Sequence, residues 1–239
     1  MPDRASSWCE IMPTPFADVR VHRLDLAAAR GDSVRLAAVL TAPERARAAL
    51  FRRTDDRLRF VVTRAVLRLL LAEAGLGPPE ALTIVADGNG KPEIPHSAPL
   101  RFNVAHSGAV ALVAFADGRD VGVDVEAVRE RPDLRDVAAR FFARSEVEAL
   151  GRLPAAEHAA AFHRCWVRKE ACVKAAGVGL RAPLAEVVVG VGVRPGAWAA
   201  TVGGGAPRAF ELADVAAGSG YAAAVAVAAP AWRGGRVSV

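Results

Sequence analysis

Cysteine is scarce in this 239-residue chain. The three that occur, Cys9, Cys165 and Cys172, are odd in number and show no metal-binding spacing. That excludes a disulfide scaffold and a zinc framework, and points to reduced thiols in a cytoplasm. Cys165 and Cys172 share one predicted helix and read as core positions. No P-loop, G-x-G-x-x-G, H-E-x-x-H or G-x-S-x-G motif is present. Their absence removes most readings as a nucleoside triphosphatase, dinucleotide enzyme, zinc protease or serine hydrolase. Long apolar runs are missing too. The one extended uncharged stretch, Val215–Trp232, carries glycine, serine, proline and many alanines, and reads as a buried strand rather than a membrane span. The start, Met1-Pro2-Asp3-Arg4, has an acid and no apolar segment, and is not expected to serve as a signal peptide.

What is present is apolar and mildly basic. Hydrophobic residues make up 52% of the chain, so it is not disordered. Much of that fraction is alanine, so large aliphatics and the nine phenylalanines must build the core. The length suits one large domain or two small ones. Lys and Arg number 31 against 26 Asp and Glu, a net charge of +5. Such a balance fits an anionic small molecule or an acidic protein as well as nucleic acid. The basic residues are densest in Arg45–Arg68, where an anion-attracting surface is expected.

Along the chain, residues 1–17 read as a loose lead-in. Val19–Leu24 alternates as a strand. Thr41 caps a helix opened by Pro43-Glu44-Arg45. Arg57–Ala74 is a long helix stopped by Gly75. Leu82–Ala86 is a short strand, and Asp87-Gly88-Asn89-Gly90-Lys91-Pro92 a turn. Strands Leu100–Val104 and Val110–Phe115 flank a tight connection at His106-Ser107-Gly108. The plan then repeats: strand Val121–Val125, a short helix opened by Ser145-Glu146, a long helix Ala155–Ala176 stopped by Gly177 and Gly179, and a closing strand Tyr221–Ala228. Gly75–Val85 and Gly179–Val189 both run Gly-Leu, a proline at the same offset (Pro79, Pro183), then strand. This similarity is too long for a solenoid repeat. It favours an α+β fold of two related halves, residues 18–118 and 119–239, packed face to face with an active site in the cleft between them.

Two segments carry the chemistry. In Gly122-Val123-Asp124-Val125-Glu126 the acids alternate with valines, so on a strand both carboxylates share a face. As a plain strand edge this pairing would be mildly repulsive unless a cation or water separates the charges. In Trp166-Val167-Arg168-Lys169-Glu170-Ala171-Cys172-Val173-Lys174, Glu170 and Lys174 sit one helical turn apart on the face of Trp166. A surface ion pair is the competing reading. The apolar company of Phe162, Trp166 and Val173 argues for a covered face, where a carboxylate could have a raised pKa and act as a base. Lys169 points away from that face and reads as a surface or ligand-reaching lysine. If the fold joins the segments, three carboxylates and a lysine share one site suited to a hard divalent cation and a phosphate ester. Lys91 is as readily a solvated turn lysine as a phosphate contact, a lone histidine such as His106 is more often structural, and Arg45, Arg52 and Arg53 could bind a phosphate or merely solubilise a helix.

Taken in order, Gly-Lys-Pro at 90–92, Phe-Asn-Val-Ala-His-Ser at 102–107, Gly-Val-Asp-Val-Glu at 122–126 and Trp-x-x-Lys-Glu-Ala-x-x-Lys at 166–174 resemble the signature of 4′-phosphopantetheinyl transferases of the large, single-chain Sfp type. The resemblance spans about residues 18–230. It implies two α+β halves related by pseudo-twofold symmetry, each a small antiparallel sheet packed on a long helix, with coenzyme A in the cleft. It implies transfer of the phosphopantetheine arm to a serine of an apo acyl or peptidyl carrier protein, releasing adenosine 3′,5′-bisphosphate. Asp124, Glu126 and Glu170 resemble the Mg²⁺ ligands, Glu170 also the base, and Lys174 the lysine at the leaving phosphate. Lys91 and His106 match phosphate contacts of coenzyme A, and Arg45 a basic residue facing its 3′-phosphate. A cytoplasmic monomer with no nucleic-acid or membrane partner is implied as well. Polyketide, nonribosomal-peptide and fatty-acid carriers all remain open. One departure is Ala105, where many relatives have serine. The missing hydroxyl implies one phosphate hydrogen bond fewer, typically ~1 kcal/mol. A Mg²⁺-dependent nuclease does not require the 166–174 motif, and a non-catalytic binding module would not need Asp124, Glu126, Glu170 and Lys174 together.

Overall fold

The structure is a computed structural model that describes residues 7–86, 91–95, 99–179, 183–193, 198–202 and 208–229. The Asp87–Gly90 turn, Leu180–Ala182 of the internal similarity and the end of the 215–232 stretch lie outside the described residues.

Apolar residues line both faces of the central strands, and that dictates a layered arrangement. The strands are β1 (Cys9–Met12), β2 (Val19–Asp25), β3 (Val85–Ala86), β4 (Pro92–Glu93), β5 (Leu100–Ser107), β6 (Val110–Asp117), β7 (Val121–Ala127), β8 (Trp198–Val202), β9 (Arg208–Asp214) and β10 (Tyr221–Ala228). The helices are α1 (Ser33–Ala37), α2 (Ala42–Ala49), α3 (Thr54–Glu73), α4 (Leu134–Phe141), α5 (Arg144–Gly151) and α6 (His158–Ala176). One antiparallel sheet runs β1-β2-β6-β5 and a second β7-β10-β9-β8, with a β3-β4 ribbon apart.

Strand alternation sorts three apolar layers. Ala111, Val113 and Phe115 of β6 face Val62, Val66 and Leu71 of α3. Ala224 and Ala226 of β10 face Phe162, Ala171 and Val173 of α6. Between the sheets lie Val21, Leu112, Ala114, Val121, Val123, Val125, Val225 and Val227. The order is therefore helix, sheet, sheet, helix. Cys165 and Cys172 are fully buried in the α6 layer, where burial pushes both thiols above their ordinary range.

Each long helix carries a buried cation. Arg68 of α3 forks onto Glu44 at 2.7 and 2.9 Å and donates to the Pro79 and Leu82 carbonyls. Glu44 also closes a capping box with Thr41 at the start of α2. Lys169 of α6 meets Glu146 at 2.6 Å and donates to the Leu184 and Val187 carbonyls. Glu146 occupies the third helical position of α5 and accepts from the Ala143, Val189 and Gly190 N–H groups. In both cases a basic residue ties a short helix to the 3₁₀ turn that follows its own helix, Pro79–Ala81 or Leu184–Glu186.

Several expectations are corrected. Lys169 is not a surface lysine. It is fully buried, because α6 has the sheet on one side and α4 and α5 on the other, leaving that flank no solvent. Residues 9–12 of the presumed lead-in form β1, paired with β2, and Trp8 is buried with its indole N–H on Asp32 at 2.7 Å. β5 continues through His106 and Ser107, so the turn is Gly108-Ala109. The 82–86 strand shrinks to Val85–Ala86 after the proline-opened 3₁₀ turn. The prolines that open the two 3₁₀ turns are Pro78 and Pro183, one residue off the register read from sequence.

Lys169→Met leaves Glu146 buried without its cation. It is expected to lower unfolding free energy by about 3–5 kcal/mol in urea titrations; a solvent-facing lysine would move it by less than about 0.5 kcal/mol.

Candidate active site

α6 lies against β7 at Gly122. A Cβ there would come within 2.1 Å of the Ala171 carbonyl oxygen and 2.4 Å of the Ala175 nitrogen. Only glycine lets the helix backbone approach this far. The same strand face then presents Asp124 and Glu126 to α6, while Val121, Val123 and Val125 turn into the inter-sheet layer. Across β7 their partners on β10 are Ala224 and Ala222, which keep the ground beside the acids low.

Asp124, Glu126, Glu170 and Lys174 meet as expected. The Lys174 ammonium donates to Asp124 Oδ1 at 2.6 Å and to the Val123 carbonyl at 3.3 Å. Asp124 and Glu170 are buried, and Asp124 Oδ2 and Glu170 Oε1 have no hydrogen-bond partner. Burial pushes the Asp124 carboxyl up to about 6; Lys174 opposes this, and the charges of Glu126 and Glu170 add to it. Burial also raises Glu170, against Lys174 and with Glu126. Glu126 is half-buried and accepts from Ser107 Oγ at 2.7 Å. Trp166 stacks on Phe162 and meets Phe141 edge-on, covering the helix face one turn before Glu170.

The donor set is made of hard oxygens, two of them buried and unpartnered, and suits Mg²⁺. Among the described residues no three His, Cys, Asp or Glu side chains already converge as a metal cluster. Lys174 takes up part of the charge that a cation would otherwise balance.

Beside this cluster a cavity of about 460 Å³ opens over α3. Arg47, Arg59, Arg64, Phe60, Thr63 and His106 are among its walls. Arg47 and Arg64 both lie over the Phe60 ring, at 5.3 and 5.8 Å. Burial lowers the Arg64 pKa, with Glu44 opposing and Arg68 and Arg47 adding. His106 is also lowered, by burial first and then by the Arg59 charge, and it feels Lys174 and Glu126 as well. The cavity wall thus carries more cations than acids, and its His106 links it electrostatically to Lys174 and Glu126.

Not every expected residue lies there. Arg45 is exposed, its guanidinium bonded to the Leu40 carbonyl, and Arg47, two positions on, reaches the cavity instead. Lys91 donates to the Lys174 carbonyl at 3.2 Å and the Val121 carbonyl at 3.4 Å, and lines a separate cavity of about 320 Å³. Ala105 sits at 4% exposure in the inter-sheet layer, on the strand face opposite His106. A serine there would meet the second sheet and not a ligand in the arginine-lined cavity, so the expected loss of a phosphate bond does not hold for that cavity. Arg59, Arg64, Ser107 and Asn103 were not singled out from sequence. The density of arginines over 45–68 was the available signal for the first two.

Residues 120–226 match the model of the 4′-phosphopantetheinyl transferase superfamily, and residues 29–117 that of the 4′-phosphopantetheinyl transferase N-terminal region. The 4′-phosphopantetheinyl transferase HetI of Nostoc sp. is 33% identical over 219 residues, 90% of each chain. A Synechocystis sp. protein named as a putative 4′-phosphopantetheinyl transferase is 35% identical over 154 residues, 63% of this chain and 62% of its own length. The Sfp enzyme of Bacillus subtilis is 36% identical over 95 residues, 40% of this chain and 41% of its own. The chain belongs to the 4′-phosphopantetheinyl transferase family and is a transferase. Among the described residues no helix is long and apolar enough to cross a membrane.

Because Asp124 is raised from 3.8 to about 6 on folding, the native state holds its proton over that interval and the unfolded chain does not. Its contribution to stability is present near pH 4 and lost as pH rises through 6. Without divalent cation, Asp124→Asn is expected to gain stability over the wild type between pH 4.5 and 7.5, by on the order of 2 kcal/mol in urea titrations. A constant difference across that range would contradict the assigned burial.

Proposed function

We propose that this protein transfers 4′-phosphopantetheine from coenzyme A to a serine of an apo acyl or peptidyl carrier protein, as a large single-chain enzyme of the Sfp type, releasing adenosine 3′,5′-bisphosphate. The observation that carries the reading is the pair of buried, unpartnered carboxyl oxygens on Asp124 and Glu170, gathered around Lys174 beside an arginine-lined cavity.

Arg47, Arg59, Arg64 and His106 bind the phosphorylated nucleotide end of coenzyme A. An anion there offsets the burial that disfavours charge on Arg64 and His106. Asp124, Glu126 and Glu170 would hold Mg²⁺, which supplies positive charge at the pyrophosphate when bound. Glu170, its carboxyl raised by burial, accepts the proton of the carrier serine, directly or through water. The serine oxygen forms a bond to the phosphorus bearing the pantetheine arm, and the bond from that phosphorus to the bridging oxygen breaks. Lys174, part-exposed and in contact with Asp124, neutralises or protonates the departing phosphate. The cleft holds serine and phosphorus in line, which lowers the entropic cost of the encounter.

The halves are assigned as 18–118, whose sheet β1 (Cys9–Met12) extends, and 119–239, related by pseudo-twofold symmetry. Support comes from the two four-stranded sheets and from the matching ionic anchors at Arg68–Glu44 and Lys169–Glu146. Arg119, at the junction, clasps them by bonding Asp18 on one side and Glu211 on the other. The free thiols of Cys9, Cys165 and Cys172 suit a cytoplasmic setting.

Incubation with coenzyme A, Mg²⁺ and an apo carrier domain is expected to add the phosphopantetheine mass to the carrier, detected by intact-protein mass spectrometry. Asp124→Ala and Glu170→Gln are expected to lower transfer by at least ~10²-fold while retaining native circular dichroism. No mass gain on several carrier domains, or near-normal rates in either variant, would refute the assignment.

A further inference from the structure

β5 and β7 are edge strands of different sheets that meet side by side. The β7 N–H groups turned away from β10 have no strand partner there. β5 supplies side chains in place of a strand. Asn103 Oδ1 accepts the Val123 N–H at 2.9 Å, and Ser107 Oγ accepts the Ala127 N–H at 3.1 Å. The spacing matches, since alternate residues of β5 meet alternate residues of β7.

Ser107 does more than close this edge. A hydroxyl has one proton to give. With Ala127 N–H donating to Oγ, that proton goes to Glu126 Oε2, at 2.7 Å. One oxygen thus fixes both the strand backbone and the carboxylate one residue before it. Ser107 is itself held. The following Gly108 has φ 54°, and the Ala109 N–H donates to the Tyr221 hydroxyl of the second sheet at 3.1 Å. A Cβ on Gly108 would lie 2.8 Å from that hydroxyl, so the turn and Ser107 are registered against β10 as well as β7.

We propose that Ser107 is a positioning residue for the carboxylate site. Its hydroxyl orients Glu126 as a cation ligand, so the first sheet contributes the outer hydrogen bond of a site whose carboxylates come from β7 of the second sheet and from α6. This rests on the reading of Asp124, Glu126 and Glu170 as a cation site. Such outer partners restrict a ligand's rotation, and removing them typically weakens metal affinity about 10–100-fold.

The test is Mn²⁺ binding followed by electron paramagnetic resonance in buffer without coenzyme A, alongside thermal melts with and without Mn²⁺. Wild type, Ser107→Ala, Ser107→Cys, Ser107→Thr and Asp124→Asn are compared. Ser107→Ala and Ser107→Cys are expected to bind Mn²⁺ about tenfold more weakly, and to show a smaller Mn²⁺-induced rise in Tm. Ser107→Thr, which keeps the hydroxyl, restores both. Should Ser107→Ala fail to fold, the size-matched cysteine variant decides. Wild-type Mn²⁺ affinity in a folded Ser107→Ala or Ser107→Cys protein would overturn the role of Ser107 while leaving the cation site standing. Equal Mn²⁺ affinity in wild type and Asp124→Asn would overturn the cation site itself, and the Ser107 role with it.

Discussion

The backbone of α6 passes over β7 at a point where the strand has no side chain, and the placement of the site follows from that approach. With Gly122 beneath Ala171 and Ala175, the turns carrying Glu170 and Lys174 come down beside the strand positions carrying Asp124 and Glu126. A larger residue at 122 would lift the helix and break the 2.6 Å contact between Lys174 and Asp124. The inter-sheet valines set the other limit. They commit the odd positions of β7 to the core, so the even positions, acids included, have only the α6 side to face.

Burial then supplies the electrostatic tension. Two carboxyl oxygens out of water without partners are costly, and one lysine answers only part of the charge. On the neighbouring cavity the sign reverses: arginines crowd a partly buried wall, with Glu44 and Asp56 offsetting only part of their charge. On the proposed function, a cation on one side and the phosphorylated end of coenzyme A on the other would relieve both. The scaffold can carry this because the helices are anchored elsewhere, α3 through Arg68–Glu44 and α6 through Lys169–Glu146 and Arg168–Asp214.

Much of this was legible before the fold was known, where the signal was local. Alternation in 121–126 and the four-residue spacing of Trp166, Glu170 and Lys174 placed the carboxylates and lysine on shared faces. Thr41 and Glu44 announced the start of α2. What failed depended on neighbours distant in sequence. Lys169 read as solvated because nothing local shows that α4 and α5 cover its flank. Arg45 and Arg47 differ only in helix phase against a cavity formed by α3 and β5. Ala105 read as a lost ligand contact because its motif is continuous, whereas strand alternation sends it to the opposite face from His106. The four-residue β1 escaped because an edge strand with two exposed residues has little pattern to read.

The central claim is that Asp124, Glu126 and Glu170 form a divalent-cation site beside a nucleotide cavity. A crystal grown with Mn²⁺ and coenzyme A, with diffraction recorded at the manganese edge, tests it most directly. The expected result is one anomalous peak ligated by oxygens of these three carboxylates, with the nucleotide lying against Arg47, Arg59, Arg64 and His106. Coenzyme A bound with no manganese at the three carboxylates, and Lys174 still closed on Asp124, would contradict it.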